Sequence, residues 1–356
     1  MIVTKPDYFD RFACVAGACP DTCCALWQVV IDPESLEFYH SLGGEPGDRI
    51  RGAIVTADGE PCFRLRDGKC ALLTPEGLCP IQRDFGHARL CAICRSFPRF
   101  TTEIGMRREL GLSLSCPEAA RLILCAEEPL TLCTEQTDEP MTDLHELSPE
   151  LILALRELRA GALEIARDRT LPFSRRCIRL LRLCDPPARQ ASAHRDGSLR
   201  AAIEEGRARA ADPAAPASAG GAAHFFRALR DALESLEVLQ PAFRAQLLRA
   251  LDVPAEGRWP EPETLWEQLL CYGIYKYFPR AAFDRAIWPA AVFCVTLPLL
   301  LRQRLAAGDA DALRLSWQLS RELEHSEENM AALLRAFSRR AFRPAVLTSI
   351  FAAIPD

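Results

Sequence analysis

From Met141 onward, apolar side chains recur three and four residues apart, and no stretch alternates apolar with polar. That spacing puts the apolar positions on one face of a helix. It predicts helices over Leu151–Ala166, Phe173–Leu183, Phe225–Leu239, Ala242–Leu251, Glu261–Phe278, Ala281–Gln303, Ala310–Glu324 and Glu328–Ala353, the last broken at Pro344. Between the second and third of these, Ala208 to Ala223 is rich in Ala, Pro, Gly and Ser and reads as a surface linker. The longest apolar run, Ala286–Leu301, holds Pro289 and Pro298. It is too short and broken for a membrane span and reads as a buried core helix kinked by proline.

The first 125 residues show a different pattern. Leu26–Ile31 reads as a short strand. Asp32 and Pro33 open a helix as cap and first residue. Gly43, Gly44, Gly47, Gly59 and Gly68 mark turns. Pro80 starts a helix that ends before Pro98, and Glu103–Ser115 reads as a small hairpin. Ser115-Cys116-Pro117-Glu118 has the form of a capping box, with Ser115 as the cap. Residues 126–140 are a polar connection, and no internal repeat is visible. The predicted fold is mainly α: a small Cys-rich metal-binding unit at 1–125 with a few short strands, then an all-helical region from 141 to 356.

Composition narrows the function classes. The formal net charge is -5, which gives no basic footprint for nucleic acid. Residues 1–140 carry 14 Lys+Arg against 21 Asp+Glu, so the Cys-rich part is acidic before any thiolate is counted. Basic residues are almost all Arg, with Lys5, Lys69 and Lys276 the exceptions, a usage that a GC-rich genome explains. The start of the chain lacks the apolar core of a secretory signal, so a cytoplasmic protein without a membrane segment is expected.

In that compartment 16 cysteines do not suggest disulfides. Clustered thiols there more often bind metal, and eleven of the 16 fall in residues 1–125. The candidate ligands are Cys14, Cys19, Cys23, Cys24, Cys70, Cys79, Cys94 and Cys116, with Cys62 and Cys91 as extras. Eight exceed the four of one site, so some are structural or a second metal exists. Adjacent Cys23 and Cys24 point different ways along an extended chain, which argues against both binding one ion. Proline follows Cys19, Cys79 and Cys116, stiffening the chain after the thiol as a fixed site requires. Cys116, near a helix start, is expected to have a lowered pKa. Cys177, Cys184, Cys271 and Cys294 lie in apolar helical surroundings and read as core. An iron–sulfur cluster and zinc both suit the set. A second C-x2-C beside Cys91–Cys94 is missing, and His87 is the one histidine among the thiols and reads as a surface residue. The Cys19-x3-Cys23 spacing matches the start of a radical S-adenosylmethionine loop, but Leu26 stands where its third cysteine belongs. Rossmann, P-loop, HExxH and Gly-x-Ser-x-Gly motifs are also missing.

These residues resemble a known family. Phe12-Ala-Cys14-x4-Cys19-x-Asp21-Thr-Cys23-Cys24-Ala-x-Trp27 carries the likeness. So do Gly68-Lys-Cys70-x8-Cys79-x-Ile81-Gln82, Cys94-Arg-Ser-Phe-Pro-Arg99 and Leu112-Ser-Leu-Ser-Cys116-Pro-Glu-Ala-Ala-Arg121. They are similar to the flagellin lysine-N-methylase (FliB) family, within the wider Cys-rich zinc/iron-chelating YkgJ-like group. Leu269–Pro279 resembles its helical C-terminal part. The chain departs from the pattern at Ala71, where proline is common, and in the added Cys62 and Cys91. The resemblance implies methyl transfer from S-adenosylmethionine to surface lysines of flagellin, with a [4Fe–4S] cluster as cofactor. Arg95, Arg99 and Arg121 lie in the motifs and are candidates to hold the cofactor carboxylate, or to balance an anionic cluster. Lysine methylation needs a neutral amine. Tyr272, Tyr275, Tyr277, Asp21 and Glu118 are the groups from which a base would come, and none is assigned. The rival readings are a non-enzymatic zinc or iron scaffold and an electron carrier.

Overall fold

The protein is described from a computed structural model covering residues 1–140, 147–213, 221–254, 257–260 and 262–355. Its first strand, β1 (Ile2–Pro6), pairs with segments more than a hundred residues away. After it come α1 (Pro33–Ser41), α2 (Gly44–Gly52), β2 (Ile54–Ala57), β3 (Glu60–Phe63), β4 (Leu65–Arg66) and β5 (Lys69–Cys70). Then follow α3 (Pro80–Phe85), α4 (Ala92–Ser96), β6 (Arg99–Ile104), β7 (Arg107–Leu112), α5 (Pro117–Leu124) and β8 (Leu132–Gln136). The sheet order is β6-β7-β1-β8, with β1 parallel to β7 and antiparallel to β8. β2–β3 and β4–β5 form two separate hairpins.

Among the described residues after 147, every regular element is helical, so the mainly α expectation holds. These are α6 (Pro149–Ala166), α7 (Phe173–Ser192), α8 (Leu199–Ala211), α9 (Ala222–Glu234), α10 (Pro241–Ala250) and α11 (Glu263–Tyr277). They continue as α12 (Ala281–Asp284), α13 (Ile287–Ala306), α14 (Ala312–Glu324), α15 (Glu327–Phe337) and α16 (Pro344–Ala352). α13 is apolar on all sides and is long enough to cross a membrane, but 89% of its apolar window is buried inside the fold. A helix apolar all round belongs in such a core.

Several local expectations need correction. Leu26–Ile31 is not a strand. It makes one isolated bridge, Val30 to Cys62, with another from Ala25 to Lys69 just before it, because Leu26 turns through a positive φ of 80° and breaks the run. The helix from Pro80 stops at Phe85, where Gly86 takes a φ of 83°, and a second one starts after Cys91. The hairpin starts earlier than Glu103, at Arg99. Ser115 does not cap α5: Cys116 holds the cap position, Ser115 pairs with Ser113 Oγ at 2.8 Å, and Glu118 binds Arg121. The polar segment 126–140 contains β8, whose outer side chains are exposed, so its period carries no apolar signal. α7 continues nine residues past Leu183 despite Pro186 and Pro187. The start of the predicted linker is the end of α8, a helix that the apolar spacing had not shown. Residues 214–220 of that linker, Met141 and Glu261 lie outside the described residues. Arg285, with a φ of 58°, divides the long predicted helix into α12 and α13.

Buried apolar side chains form two clusters. The larger runs from Tyr8 and Phe12 through Leu112, Leu114 and α5 to Ile354. The smaller gathers Val29, Ile31, Tyr39, Ile50, Ala53, Phe63, Leu72, Ile81, Leu90 and Cys91. Cys91 belongs to this smaller core, and Cys70, Cys79 and Cys94 pack against it.

Candidate metal centre

Short elements bring the thiols together. Cys70 N donates to Cys24 O at 2.7 Å and Leu26 N to Gly68 O at 2.8 Å, tying the Cys23–Leu26 turn to the β4–β5 hairpin. Cys79 and Cys91 occupy the N-cap positions of α3 and α4, and Cys94 lies within α4. Asp32 serves two helices. One carboxylate oxygen accepts from Ser35 N at 3.0 Å and caps α1; the other accepts from Ala92 N at 2.6 Å and anchors α4. These backbone donors hold its carboxyl below the usual range.

The result is one pocket lined by Cys23, Cys24, Cys70, Cys79, Cys91 and Cys94 over an apolar floor that includes Val29, Tyr39, Phe63 and Ile81. Five of the eight predicted ligands line it, and Cys91, read from sequence as an extra, joins them. Cys23 and Cys24 line the same pocket and hydrogen-bond each other, contrary to the separation expected of adjacent residues, because the turn at Leu26 departs from an extended chain. In the pairs Cys23/Cys24 and Cys91/Cys94, the first thiol is stabilised as a thiolate by the hydrogen bond from the second, whose own proton is held. Burial pushes Cys79 up, opposed by the backbone N–H groups of Gln82 and Ile81 at the start of α3. Burial likewise raises Cys70.

Cys14, Cys19 and Cys116 lie outside the pocket lining. They approach from the Cys23 side: burial raises Cys19, with the charges of Cys14 and Cys23 adding to it, and the charges of Cys19 and Cys23 also act on Cys116. Cys116 is pushed up to about 11, chiefly by burial, against the N–H groups of Ala119 and Glu118. The lowered value expected from its helix position is therefore reversed by desolvation. Cys62 is buried off the pocket, with its thiol 3.6 Å from Val55 O. Cys177, Cys184, Cys271 and Cys294 are buried in the helical body.

Six soft sulfur donors suit zinc or an iron–sulfur cluster and disfavour hard cations. Among the described residues, no three His, Cys, Asp or Glu side chains already stand as a metal-holding group, so the thiols must close in to coordinate.

The three nominated arginines have other work. Arg95 donates to Ala88 O and Leu90 O, both at 3.2 Å. Arg99 lies over the Phe12 ring at 5.0 Å and reaches Phe12 O at 3.5 Å. Arg121 forks onto Glu118 at 2.8 and 2.6 Å on the surface. Arg321 of α14, which sequence reading missed, borders the site through the lining residue Trp27. It is 1% exposed, donates to Ser115 O at 2.8 Å and Asp21 at 2.7 Å, and stands 5.7 Å from the Trp27 ring. After the Cys24 hydrogen bond, its charge also lowers the Cys23 pKa, and its Nη2 has no hydrogen-bond partner among the described residues. Three hundred residues separate it from Asp21, so no local pattern points to it.

The candidate bases are also engaged. Asp21 holds Arg321, and Glu118 holds Arg121. Glu324 accepts from Tyr272 at 2.7 Å and from Tyr277 and Lys276 at 2.5 Å. Tyr275 OH lies 2.8 Å from Leu110 O.

No family model and no solved structure matches the chain. It is 29% identical over 137 residues to a lysine-N-methylase of Salmonella typhimurium, covering 36% of this chain and 34% of that protein. It is 28% identical over 137 residues to the flagellar biosynthetic protein FliU of Salmonella muenchen, covering 36% of this chain and 81% of FliU. A lysine-N-methylase of Salmonella choleraesuis is 28% identical, with the same 36% of this chain and 34% of its own length covered. The match thus spans about a third of the length of these lysine-N-methylases. Over that share of its length, the chain is similar to the lysine-N-methylase and FliU proteins.

Proposed function

We propose that the chain is a protein-lysine N-methyltransferase that uses S-adenosylmethionine, with flagellin as its substrate and a [4Fe–4S] cluster in the thiol pocket. The observation that carries this reading is the relation to lysine-N-methylases and to a flagellar biosynthetic protein. Support for the cluster comes from the donor set: Cys23, Cys24, Cys70, Cys79, Cys91 and Cys94 face one pocket, and they are soft sulfur ligands. Three of the thiolates Cys23, Cys24, Cys70, Cys79, Cys91 and Cys94 would hold such a cluster, which would supply a Lewis-acidic site for the methyl donor.

The remaining roles fall to the chain. Its reaction joins a lysine nitrogen to the sulfonium methyl carbon and breaks the carbon–sulfur bond, releasing S-adenosylhomocysteine and a proton. The attacking amine must be neutral and in line. Arg321 is the candidate to meet a carboxylate near Cys23: its charge acts on that thiol and its Nη2 has no hydrogen-bond partner among the described residues, while Nε and Nη1 already serve Ser115 O and Asp21.

Protein purified without oxygen should be brown, absorb near 400 nm, contain iron, and add methyl groups to flagellin lysines by mass spectrometry. Cys79→Ser and Cys94→Ser should lose both colour and transfer. Arg321→Lys should keep the iron and bind S-adenosylmethionine more weakly. A colourless protein with stoichiometric zinc and no transfer would sink the enzyme reading in favour of a zinc scaffold. Transfer by metal-free protein would leave the thiols a structural role.

A further inference from the structure

The face built by the β6–β7 hairpin, α6 and α12 carries apolar side chains from a buried floor to an exposed rim. Ile104, Leu155 and Ala282 are buried and line a shallow crevice with Ile152 and Pro279. On each side the chain sets an exposed apolar residue next to the lining. Met106, in the turn of the hairpin, precedes Arg107 and is 70% exposed. Leu153 follows Ile152 and is 61% exposed, and Phe283 follows Ala282 and is 44% exposed. These are three of the six large apolar side chains that are exposed among the described residues. One such residue alone means little, but a group on one face marks an interaction surface.

The charged side chains here are Arg107, Arg156 and Arg159 against Glu109. Glu109 is buried, pairs with Arg159 and also attracts Arg107, so the lining keeps an excess of positive charge. Arg156 is exposed, one helical turn after Leu153. Met, Phe and Arg on one face, with no Lys among them, is the composition enriched at protein interfaces. Charge also narrows the occupant. A two-fold contact between copies of the chain would set these arginines against their own kind. An anionic bilayer would meet a concave face on a chain of net charge -5. Carboxylates of a partner protein, placed around an apolar ridge, suit both the shape and the charge.

We propose that this face docks an amphipathic helix of a partner protein whose apolar stripe is flanked by Asp or Glu. The stripe packs on Met106, Leu153, Leu155 and Phe283, and the carboxylates meet Arg107 and Arg156 at the edge. An amphipathic helix laid in an apolar groove is a recurring mode of recognition, and arginine pairs with carboxylates through two donors at once. The face shares no lining residue with the thiol pocket, so its occupant is independent of the methyl-transfer reading.

Fluorescence anisotropy of the full chain with two labelled synthetic peptides tests this. Both carry leucine at i, i+3, i+4 and i+7; one flanks the stripe with glutamate and the other with lysine. The glutamate peptide should bind, less tightly as salt rises, and the lysine peptide should bind about tenfold more weakly or not at all. Leu153→Ser should weaken the glutamate peptide about tenfold. Arg156→Glu should weaken it as well and should tighten the lysine peptide, an exchange that a misfolded variant would not give. Both side chains are exposed, so both variants should keep the wild-type unfolding midpoint. No binding of the glutamate peptide would overturn the proposal, as would equal binding of the two peptides or unchanged affinity in both variants. Binding to phosphatidylglycerol vesicles that Leu153→Ser abolishes, or a dimer that the same variant dissolves, would give the face to a membrane or to a second copy instead.

Discussion

Single residues at the site were legible where chemistry shows in identity and spacing, and not where it depends on contact. Cysteine density marked the thiol pocket, and Cys91 stood out by its C-x2-C relation to Cys94, though it was not counted as a ligand. Arg321 carries no such mark: its partners Asp21 and Ser115 are set by tertiary packing. The same limit applies to Asp196, which pairs with Arg285 through 2.5 and 3.0 Å contacts. Hydrogen bonding from Arg285 holds its carboxyl at about 2, below the ordinary aspartate value of 3.8. A lowered folded-state pKa contributes stability that is present above the unfolded value and lost as pH falls through the folded one. Asp196 is 18% exposed, so screening trims the pair to on the order of 1–2 kcal/mol. Asp196→Asn should therefore lower the urea unfolding free energy by that amount near pH 7. Between about pH 4 and pH 2 the difference from wild type should shrink toward zero. A constant difference across that window would show that the loss comes from shape and not from charge.

Helices are legible from apolar period, but their ends and close approaches depend on the neighbour. The apolar spacing ended this helix at Leu183, yet α7 runs through Pro186 and Pro187 to Ser192. Proline at 187 has no N–H for the Leu183 carbonyl. That carbonyl instead lies against Gly206 of α8, where an added Cβ would stand 2.2 Å from the oxygen. Gly206 thus permits the approach of two helices, while sequence alone reads it as a weak helix residue. Propensity predicts that Gly→Ala inside a helix stabilises by about 1 kcal/mol. Overpacking against backbone costs about 1–3 kcal/mol and should win here. Gly206→Ala should lower the urea midpoint. Gly161→Ala, whose nearest neighbour is the Leu183 side chain at an ordinary 3.6 Å, should leave it unchanged or raise it. Stabilisation by both substitutions would show that α7 and α8 separate easily and that the approach is not constrained.

Across the whole molecule, the sheet was the least legible part. β1 lies between β7 and β8, and its choice of partners is non-local, so alternation within Ile2–Pro6 could not reveal it. This sheet and α5 pack into the large helical core, whereas residues 29–91 keep a core of their own with ten buried apolar members. A core that small rarely holds its fold without a staple such as a metal. If the thiols hold a metal, its removal should loosen this core first, because metal binding free energy becomes local folding free energy. The large core does not include the pocket thiols and should persist. Hydrogen exchange read by mass spectrometry after anaerobic treatment with an iron and zinc chelator separates the cases. Peptides from residues 23–96 should exchange at least tenfold faster, while those from α7, α11 and α13 keep their protection. Far-ultraviolet circular dichroism should fall only slightly, since most helical residues lie after 147. Loss of protection throughout the chain would mean that the two cores unfold as one unit, with Arg321 and its contacts to Asp21 and Ser115 as a rigid coupling. Unchanged exchange everywhere would show that the thiols hold no metal that the fold depends on.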